Sequence, residues 1–176
     1  FHRSKAIVSG DFLWVEEQFG KKYFSVIDCT GHGVPGAFMS IMANNNLNYL
    51  LKEKKIKYPG EILHVLDRKI KDTIKQRKDE FNDLFGMDMA LCSLDVNTNI
   101  LEYAGAFNPL WIYDGAMISE IKPDRYPVVH YFFEPNEKMF KTHHMMMNSG
   151  DRIYLFSDGY QDQFGGEDGE KFMKER

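Results

Sequence analysis

Alternating apolar and polar positions are the dominant pattern along the chain. The pattern recurs over short segments rich in β-branched and aromatic residues, which is typical of strands buried on one face. Strands are predicted near the following segments: Ala6 to Val8, Phe12 to Glu16, Tyr23 to Ile27, Met89 to Val96, Ile100 to Ala104, Leu110 to Tyr113, Met139 to Met147 and Arg152 to Ser157. The chain is therefore predicted to be rich in strands.

A second pattern, with apolar residues at helical spacing, occurs in two consecutive segments. One helix is predicted from about Pro35 to Lys52 and the other from about Gly60 to Arg77. The apolar positions of the second helix are Ile62, Val65, Leu66, Ile70 and Ile74. Because the two helices are consecutive and each has apolar positions to bury, we expect them to pack together.

Turn signals indicate how the strands are connected. Asn97-Thr98-Asn99 separates two strands as a hairpin loop, and Asp114-Gly115 is a strong signal for a tight turn. Neighbouring strands are therefore expected to be antiparallel. Since strands precede and follow a pair of helices, without strict alternation, the sequence favours an α+β fold of antiparallel layers over a doubly wound parallel sheet.

Composition restricts the class of protein. With 176 residues, of which 43% are hydrophobic, the chain is expected to form a single domain over residues 1–176. Because no apolar run approaches the roughly 20 residues that span a bilayer, we expect no membrane contact by this domain. The balance of 26 acidic and 22 basic residues, without a basic block, argues against nucleic-acid binding. Cys29 and Cys92 fit no disulfide framework, which favours a reducing, cytoplasmic compartment.

Three aspartates occur at predicted strand ends close to glycine. Asp28 follows an apolar strand and opens the glycine-rich run Asp28 to Gly36, while Asp11 enters one strand and Asp158 leaves another. If these strand ends meet, the site would offer only oxygen ligands, which suit Mg²⁺ or Mn²⁺ better than Zn²⁺. Two such ions can activate water for attack on a phosphoryl group, as in a phosphomonoesterase. Aspartate beside glycine is also an ordinary turn signature, so spacing alone leaves both interpretations open.

Five ordered segments resemble those of bacterial stage II sporulation protein E type phosphatases, a branch of the metal-dependent protein phosphatase 2C superfamily. The segments are Val8 to Phe12, Asp28 to Ala37, Gly86 to Leu91, Tyr103 to Ala106 and Tyr154 to Gly159. The resemblance covers nearly the whole chain, and five motifs in order are more specific than any one of them.

The resemblance implies a sandwich of two antiparallel β-sheets flanked by helices, in α-β-β-α layers. It also implies two Mn²⁺ or Mg²⁺ ions and hydrolysis of phosphoserine or phosphothreonine by a metal-bound hydroxide. Asp28 matches the bridging ligand and catalytic residue, with the backbone carbonyl of Cys29 beside it. Asp11 matches a second catalytic acid that holds metal-bound water or the ion itself, and Asp158 matches a ligand of the second ion.

The chain departs from the family pattern in three places. The family has one more aspartate in a final strand after the motif that contains Asp158, and this chain does not contain that strand, so we expect a fragment of a longer signalling protein. Ala106 replaces an aspartate that animal members use for a third metal. Pro127-Val128-Val129 replaces Pro-Ile-Gly, which puts a β-branched residue in a loop near the site.

Other candidates are weaker. Asp88 starts an apolar strand, so it lies either near the metals or simply at the strand entry. His32 could donate a proton to the leaving group, but it lies four residues after Asp28, whereas the histidine of the animal enzymes lies two residues after their aspartate; this favours a structural role. His143 and His144 are adjacent in a strand and therefore point to opposite faces, which argues against a shared metal ion.

The sequence therefore indicates a Mn²⁺- or Mg²⁺-dependent serine/threonine protein phosphatase. Its expected substrate is a bacterial regulatory phosphoprotein of the anti-anti-sigma type, and an upstream sensor domain, with a membrane tether in the full-length protein, would control it. Whether it forms a homodimer is left open.

Two alternatives remain. The missing aspartate and the altered loop would also suit a non-catalytic phosphatase-like module that binds or dimerises with a partner. The second alternative is a nuclease with two metal ions, which the lack of a basic surface disfavours.

Overall fold

The computed structural model of the chain describes residues 9–31, 33–75, 86–129, 139–160, 164–165 and 170–171. The predicted strand near Ala6 to Val8, the candidate residue His32 and the end of the second predicted helix at Arg77 lie outside these ranges.

Ten strands and two helices are present in the described residues. The strands are β1 (Phe12–Gln18), β2 (Lys21–Cys29), β3 (Met87–Asp95), β4 (Ile100–Ala106), β5 (Leu110–Tyr113), β6 (Ile118–Ile121), β7 (His143–Met146), β8 (Arg152–Tyr154), β9 (Phe164–Gly165) and β10 (Glu170–Lys171). Between β2 and β3 lie helix α1 (Val34–Asn48), a π-helical turn (Tyr49–Glu53) and helix α2 (Pro59–Lys75).

The strands form antiparallel sheets. The larger sheet has five strands in the order β1-β2-β3-β4-β7, a second sheet has the order β6-β5-β8, and β9 pairs with β10. Because side chains alternate between the two faces of a strand, the larger sheet can contribute to two cores at once. The antiparallel pairing of the strands, together with the two helices, confirms the predicted α+β class with two antiparallel sheets.

One hydrophobic core lies between the larger sheet and both helices. It contains Tyr23 and Ile27 from β2, Met39 and Leu47 from α1, and the buried face of α2. On that face Ile62, Leu63, Leu66 and Ile70 are fully buried and Ile74 nearly so. Four of the five predicted apolar positions of α2 are therefore buried, Val65 is partly buried against the same core, and Leu63 is a buried position that was not predicted. The two helices share one core.

The second core lies between the two sheets. Ala90 and Cys92 of β3 pack there with Leu101 and Tyr103 of β4 and with Leu110 of β5. Neighbouring residues of β3, such as Met89 and Leu91, belong to the helix-side core. The central strand is thus buried on both faces, which explains its nearly continuous apolar sequence.

Several predicted boundaries differ from the observed ones. The first helix was predicted to continue to Lys52, but the α-helix ends at Asn48 and the chain continues as the π-helical turn. The strand predicted over Met139 to Met147 comprises only β7, and the strand predicted to Ser157 ends at Tyr154. Strand β6 was not predicted, because its residues are mostly exposed and show no buried face.

Helix α1 is unusual because it contains no charged residue. Its outer face carries the apolar residues Val34, Phe38 and Ile41, whose side chains are 68%, 57% and 58% exposed. Their spacing of three to four residues puts them on one side of the helix.

The two adjacent histidines of β7 have different neighbours. His143 lies beside the ring of Tyr103, with 5.9 Å between the ring centroids, whereas His144 Nδ1 lies 3.6 Å from Glu102 Oε1. Glu102 is buried and accepts hydrogen bonds from Lys21 Nζ and Ser93 Oγ. The histidines therefore do not converge on one point, as predicted from their adjacency.

None of the helices in the described part of the chain combines the length and the apolar character needed to cross a membrane. Both cysteines, Cys29 and Cys92, are buried and unpaired.

Candidate metal centre

Three aspartates form a row at one edge of the larger sheet: Asp11 immediately before β1, Asp28 in β2 and Asp88 in β3. The antiparallel register of β2 and β3 pairs Asp28 directly with Asp88. The register of β1 and β2 pairs Phe12 with Ile27, which places Asp11, one residue before Phe12, opposite Asp28. Directly opposite residues of adjacent strands point to the same face. Asp28 was predicted to follow its strand, but it lies inside β2, because pairing with β3 continues to Cys29.

A fourth aspartate reaches this row from the smaller sheet. Asp158 begins a short 3₁₀ turn (Asp158–Tyr160) that follows β8, and its side chain is within hydrogen-bonding reach of Asp28. Ser157 Oγ donates a hydrogen bond of 3.1 Å to Asp11 Oδ2. The predicted residues Asp11, Asp28 and Asp158 are therefore brought together, and Asp88 joins them.

The electrostatics of this cluster are unfavourable for four separate negative charges. Burial, reinforced by the neighbouring carboxylates of Asp11 and Asp158, raises the pKa of Asp28 to about 8. Burial and the charge of Asp158 raise the pKa of Asp88 to about 6. Among the described residues no lysine or arginine forms an ion pair with any of these aspartates. Protons or cations must therefore compensate the charge.

The chemistry of the donor set suits a hard divalent cation. It consists of carboxylate oxygens, which Mg²⁺ and Mn²⁺ prefer. The nearby sulfur of Cys29 is not a competing ligand, because burial raises the pKa of its thiol to about 12 and the thiol stays protonated. Among the described residues, no three histidine, cysteine, aspartate or glutamate side chains are arranged so that they could hold a metal ion. Asp11 and Asp158 both lie within hydrogen-bonding reach of Asp28, so what the cluster shares with a site for such a cation is the chemistry of its donor atoms.

The glycine-rich loop after β2 is held against the start of β1 by contacts between backbones. A Cβ atom on Gly36 would lie 2.6 Å from the carbonyl oxygen of Gly31, and one on Gly10 would lie 2.8 Å from the carbonyl oxygen of Cys29. Both distances are too short for any side chain. Glycine at these two positions therefore lets the loop, the Cys29 carbonyl and the residues before Asp11 approach one another closely.

The other side of the row is supported by the segment that contains Val128 and Val129. Val128 and Met87 exchange two backbone hydrogen bonds of 2.8 and 2.9 Å, one residue before Asp88. Val129 has φ = 59°, in the left-handed region where glycine is common and β-branched residues are rare. The sequence pointed to this position as a replaced glycine, but it did not indicate the conformation.

One functional contact escaped the sequence interpretation. Ser157 belongs to the motif around Asp158, yet nothing in the pattern indicated that its hydroxyl would contact Asp11, because the two residues are 146 positions apart.

Comparisons with known proteins agree with this architecture. The family described as Stage II sporulation protein E (SpoIIE) matches residues 20–176. The SiaA-PP2C domain of Pseudomonas aeruginosa is similar in structure, with a TM-score of 0.79 and 28% identity over 94% of this chain and 62% of that one. The chain therefore spans less than two thirds of that protein. No curated protein sequence matches the chain.

Two further solved structures share the fold. The RsbU and RsbW domains of Rv1364c from Mycobacterium tuberculosis match with a TM-score of 0.70 and 22% identity, covering 93% of this chain and 42% of that one. RsbX, solved in complex with magnesium, matches with a TM-score of 0.64 and 11% identity, covering 91% of this chain and 71% of that one. With a family match over most of its length and the fold of PP2C phosphatase domains, the chain belongs to the stage II sporulation protein E family.

Proposed function

We propose that this domain is a metal-dependent serine/threonine protein phosphatase that hydrolyses phosphoserine or phosphothreonine on a bacterial regulatory protein. The observation that carries the proposal is the convergence of Asp11, Asp28 and Asp158 from both sheets, with Asp88 in the same row. Family membership supports the same reaction class.

Two Mn²⁺ or Mg²⁺ ions would be held by this cluster. Asp28 lies between Asp11 and Asp158, which suits a bridging ligand, and the carbonyl of Cys29 lies next to Gly10 at the same edge. When bound, such ions lower the pKa of water and offset charge on the phosphoryl oxygens. The magnesium complex of the structurally similar RsbX supports a metal of this class.

The residues of the chain itself would position the reactants. The hydrogen bond from Ser157 orients the Asp11 carboxylate, and the row of aspartates fixes where positive charge can accumulate. A phosphoryl group would be drawn there only together with the cations, since the carboxylates repel it. We propose direct hydrolysis by water, because the Cys29 thiol is buried and protonated and the Ser157 hydroxyl is engaged with Asp11.

The proposed substrate is a phosphoprotein of the anti-anti-sigma type. The similarity to Rv1364c supports a regulatory setting, because that protein joins RsbU and RsbW domains in one chain.

Phosphate release from phosphoserine and phosphothreonine peptides, measured with and without Mn²⁺, tests the proposal. We expect activity that EDTA removes and that Asp28→Asn lowers by about 100-fold or more, because roughly 3 kcal/mol of transition-state stabilisation would be lost. Asp114→Asn is the matched control: Asp114 caps an exposed loop through the amides of Ala116 and Met117, and its substitution should leave the rate unchanged.

Activity that persists in both EDTA and the Asp28→Asn variant would contradict the proposal. A wild-type protein that binds Mn²⁺ but releases no phosphate from any phosphopeptide would favour the non-catalytic module.

A further inference from the structure

A buried contact links helix α2 to the loop beside the candidate metal centre. Asp67 of α2 is 5% exposed, and its Oδ1 accepts a 2.8 Å hydrogen bond from the backbone N–H of Val129. Val129 is fully buried and has φ = 59°. A β-branched residue rarely adopts this conformation, so the surrounding structure must hold it there.

Asp67 is itself held in place. Its second oxygen, Oδ2, forms an ion pair of 2.6 Å with Lys71 Nζ, one helical turn further along α2. A buried carboxylate is costly unless it is paired and hydrogen-bonded, and Asp67 has both kinds of partner. The backbone N–H of Val129 therefore donates its hydrogen bond to a rigid acceptor on a helix that is packed in the core.

The conformation of Val129 is connected to the row of aspartates through β3. Val128 is paired with Met87, the residue immediately before Asp88. A Cβ atom on Gly86 would lie 3.2 Å from the carbonyl oxygen of Val129, so these two backbones are in close contact. The carbonyl of Gly86 in turn accepts a 2.8 Å hydrogen bond from the N–H of Thr30, in the loop that follows Asp28.

We propose that Asp67 is a positioning residue for the metal centre. By holding Val129 in the left-handed conformation, it keeps Val128 paired with Met87 and thereby fixes the start of β3, with Asp88 and the contact to Thr30. The inference rests on the proposed function, since it assigns Asp67 to the support of that same site. The residue acts at a distance and touches neither metal nor substrate.

Three variants isolate the hydrogen bond. Asp67→Ala removes the acceptor, whereas Asp67→Asn keeps an oxygen for the Val129 N–H and removes the charge together with the ion pair to Lys71. Asp67→Ala combined with Val129→Gly removes the acceptor from a loop that no longer needs it, because glycine adopts positive φ readily.

Mn²⁺ affinity, measured by calorimetry, is the first readout. We expect Asp67→Ala to weaken Mn²⁺ binding by about tenfold, as removal of residues behind metal ligands commonly does. Asp67→Asn and the double variant should each recover most of this loss.

Glu102→Ala is the matched control. Like Asp67, Glu102 is buried, has a lysine partner and accepts a second hydrogen bond, but it lies opposite Ser93, about 17 Å along β3 from Asp88. We expect Glu102→Ala to lower stability without changing Mn²⁺ affinity. Equal Mn²⁺ affinity in wild type, Asp67→Ala and Glu102→Ala would overturn the inference.

Amide hydrogen exchange separates this inference from the phosphatase proposal, because it needs neither metal nor turnover. In Asp67→Ala the amides of Val129, Val128, Met87 and Thr30 should lose protection together. Unchanged protection there would refute the positioning role even if the enzyme is active. If Asp67→Ala does not fold, amide exchange in the wild type and in Asp67→Asn tests the inference instead. The positioning role requires the amide of Val129 to exchange as slowly as that of Met87 in both proteins. Much faster exchange of the Val129 amide refutes the role.

Discussion

At the scale of single residues, Asp28 has acidic neighbours on several sides. It lies inside the paired strand β2 and is directly opposite Asp88 on β3. Asp11 and Asp158 are within hydrogen-bonding reach of its carboxyl group. A row of like charges at adjacent strand ends opposes folding unless something neutralises it. The site is therefore kept at the expense of stability.

This predicts an unusual pH dependence for the protein in EDTA. The pKa of Asp28 is raised from 3.8 to about 8 in the fold, so the folded state binds the extra proton and stability is lost as the pH rises between about 4 and 8. The free energy of unfolding should fall by about 0.5 to 1 kcal/mol per pH unit, less than the limit of about 1.4 because the group is partly open to solvent. Urea unfolding at several pH values measures it.

Asp28→Asn should flatten this slope and leave only the part due to Asp88, whose pKa of about 6 confines it to lower pH. Asp95→Asn is the control, because hydrogen bonds from the amides of Asn97 and Thr98 lower the pKa of Asp95 and keep its titration below the window. Stability that rises over this range in the wild type would contradict the assignment.

The sequence predicted which aspartates form the cluster but not how they contact each other. Asp11, Asp28 and Asp158 were identified by their strand-end positions and by family motifs. Two contacts join residues that are far apart in sequence. They are the hydrogen bond from Ser157 to Asp11 and the hydrogen bond from the Val129 N–H to Asp67. No local pattern encodes such contacts.

At the scale of elements, the two helices use their apolar residues differently. Helix α2 buries most of its apolar residues on one face, whereas α1 buries some of its apolar residues and leaves Val34, Phe38 and Ile41 exposed. Apolar residues in the two helices therefore contribute unequally to stability.

Two matched substitutions measure this difference. Ile70→Ala in α2 should lower the free energy of unfolding by about 2 to 5 kcal/mol, because Ile70 is fully buried and its removal leaves a cavity. Ile41→Ala in α1 should change it by no more than about 0.5 kcal/mol, because Ile41 is exposed. Equal losses in chemical denaturation would show that the outer face of α1 is covered in solution.

Element types were more predictable than element boundaries. Periodicity identified both helices and most strands, since burial on one face determines the pattern. It did not identify β6, which has almost no buried face, nor the change from α- to π-helix after Asn48. Both features depend on neighbouring elements.

At the scale of the whole molecule, the candidate site joins the two sheets. Asp28 and Asp88 belong to the larger sheet, Asp11 immediately precedes its strand β1, and Asp158 follows the last strand of the smaller sheet. Bound cations would therefore link both layers of the sandwich.

We accordingly expect Mn²⁺ to stabilise the fold as a whole. At a concentration 100 times the dissociation constant, each site should add about 2.7 kcal/mol to the free energy of unfolding. Asp158→Asn should reduce this gain, while Asp114→Asn, in an exposed loop, should not. Chemical denaturation with and without Mn²⁺ measures the gain, and an equal gain in wild type and Asp158→Asn would exclude Asp158 as a ligand.

The pairing of β2 with β3 also has a consequence for folding kinetics. Both helices lie between these strands in the chain, so Asp28 and Asp88 meet only after a loop of about 60 residues has closed. The contact between Ser157 and Asp11 requires almost the entire chain. Such non-local pairing is slow to form. A nascent or partly unfolded chain consequently lacks the assembled cluster, so that the proposed metal binding would begin only when folding is nearly complete.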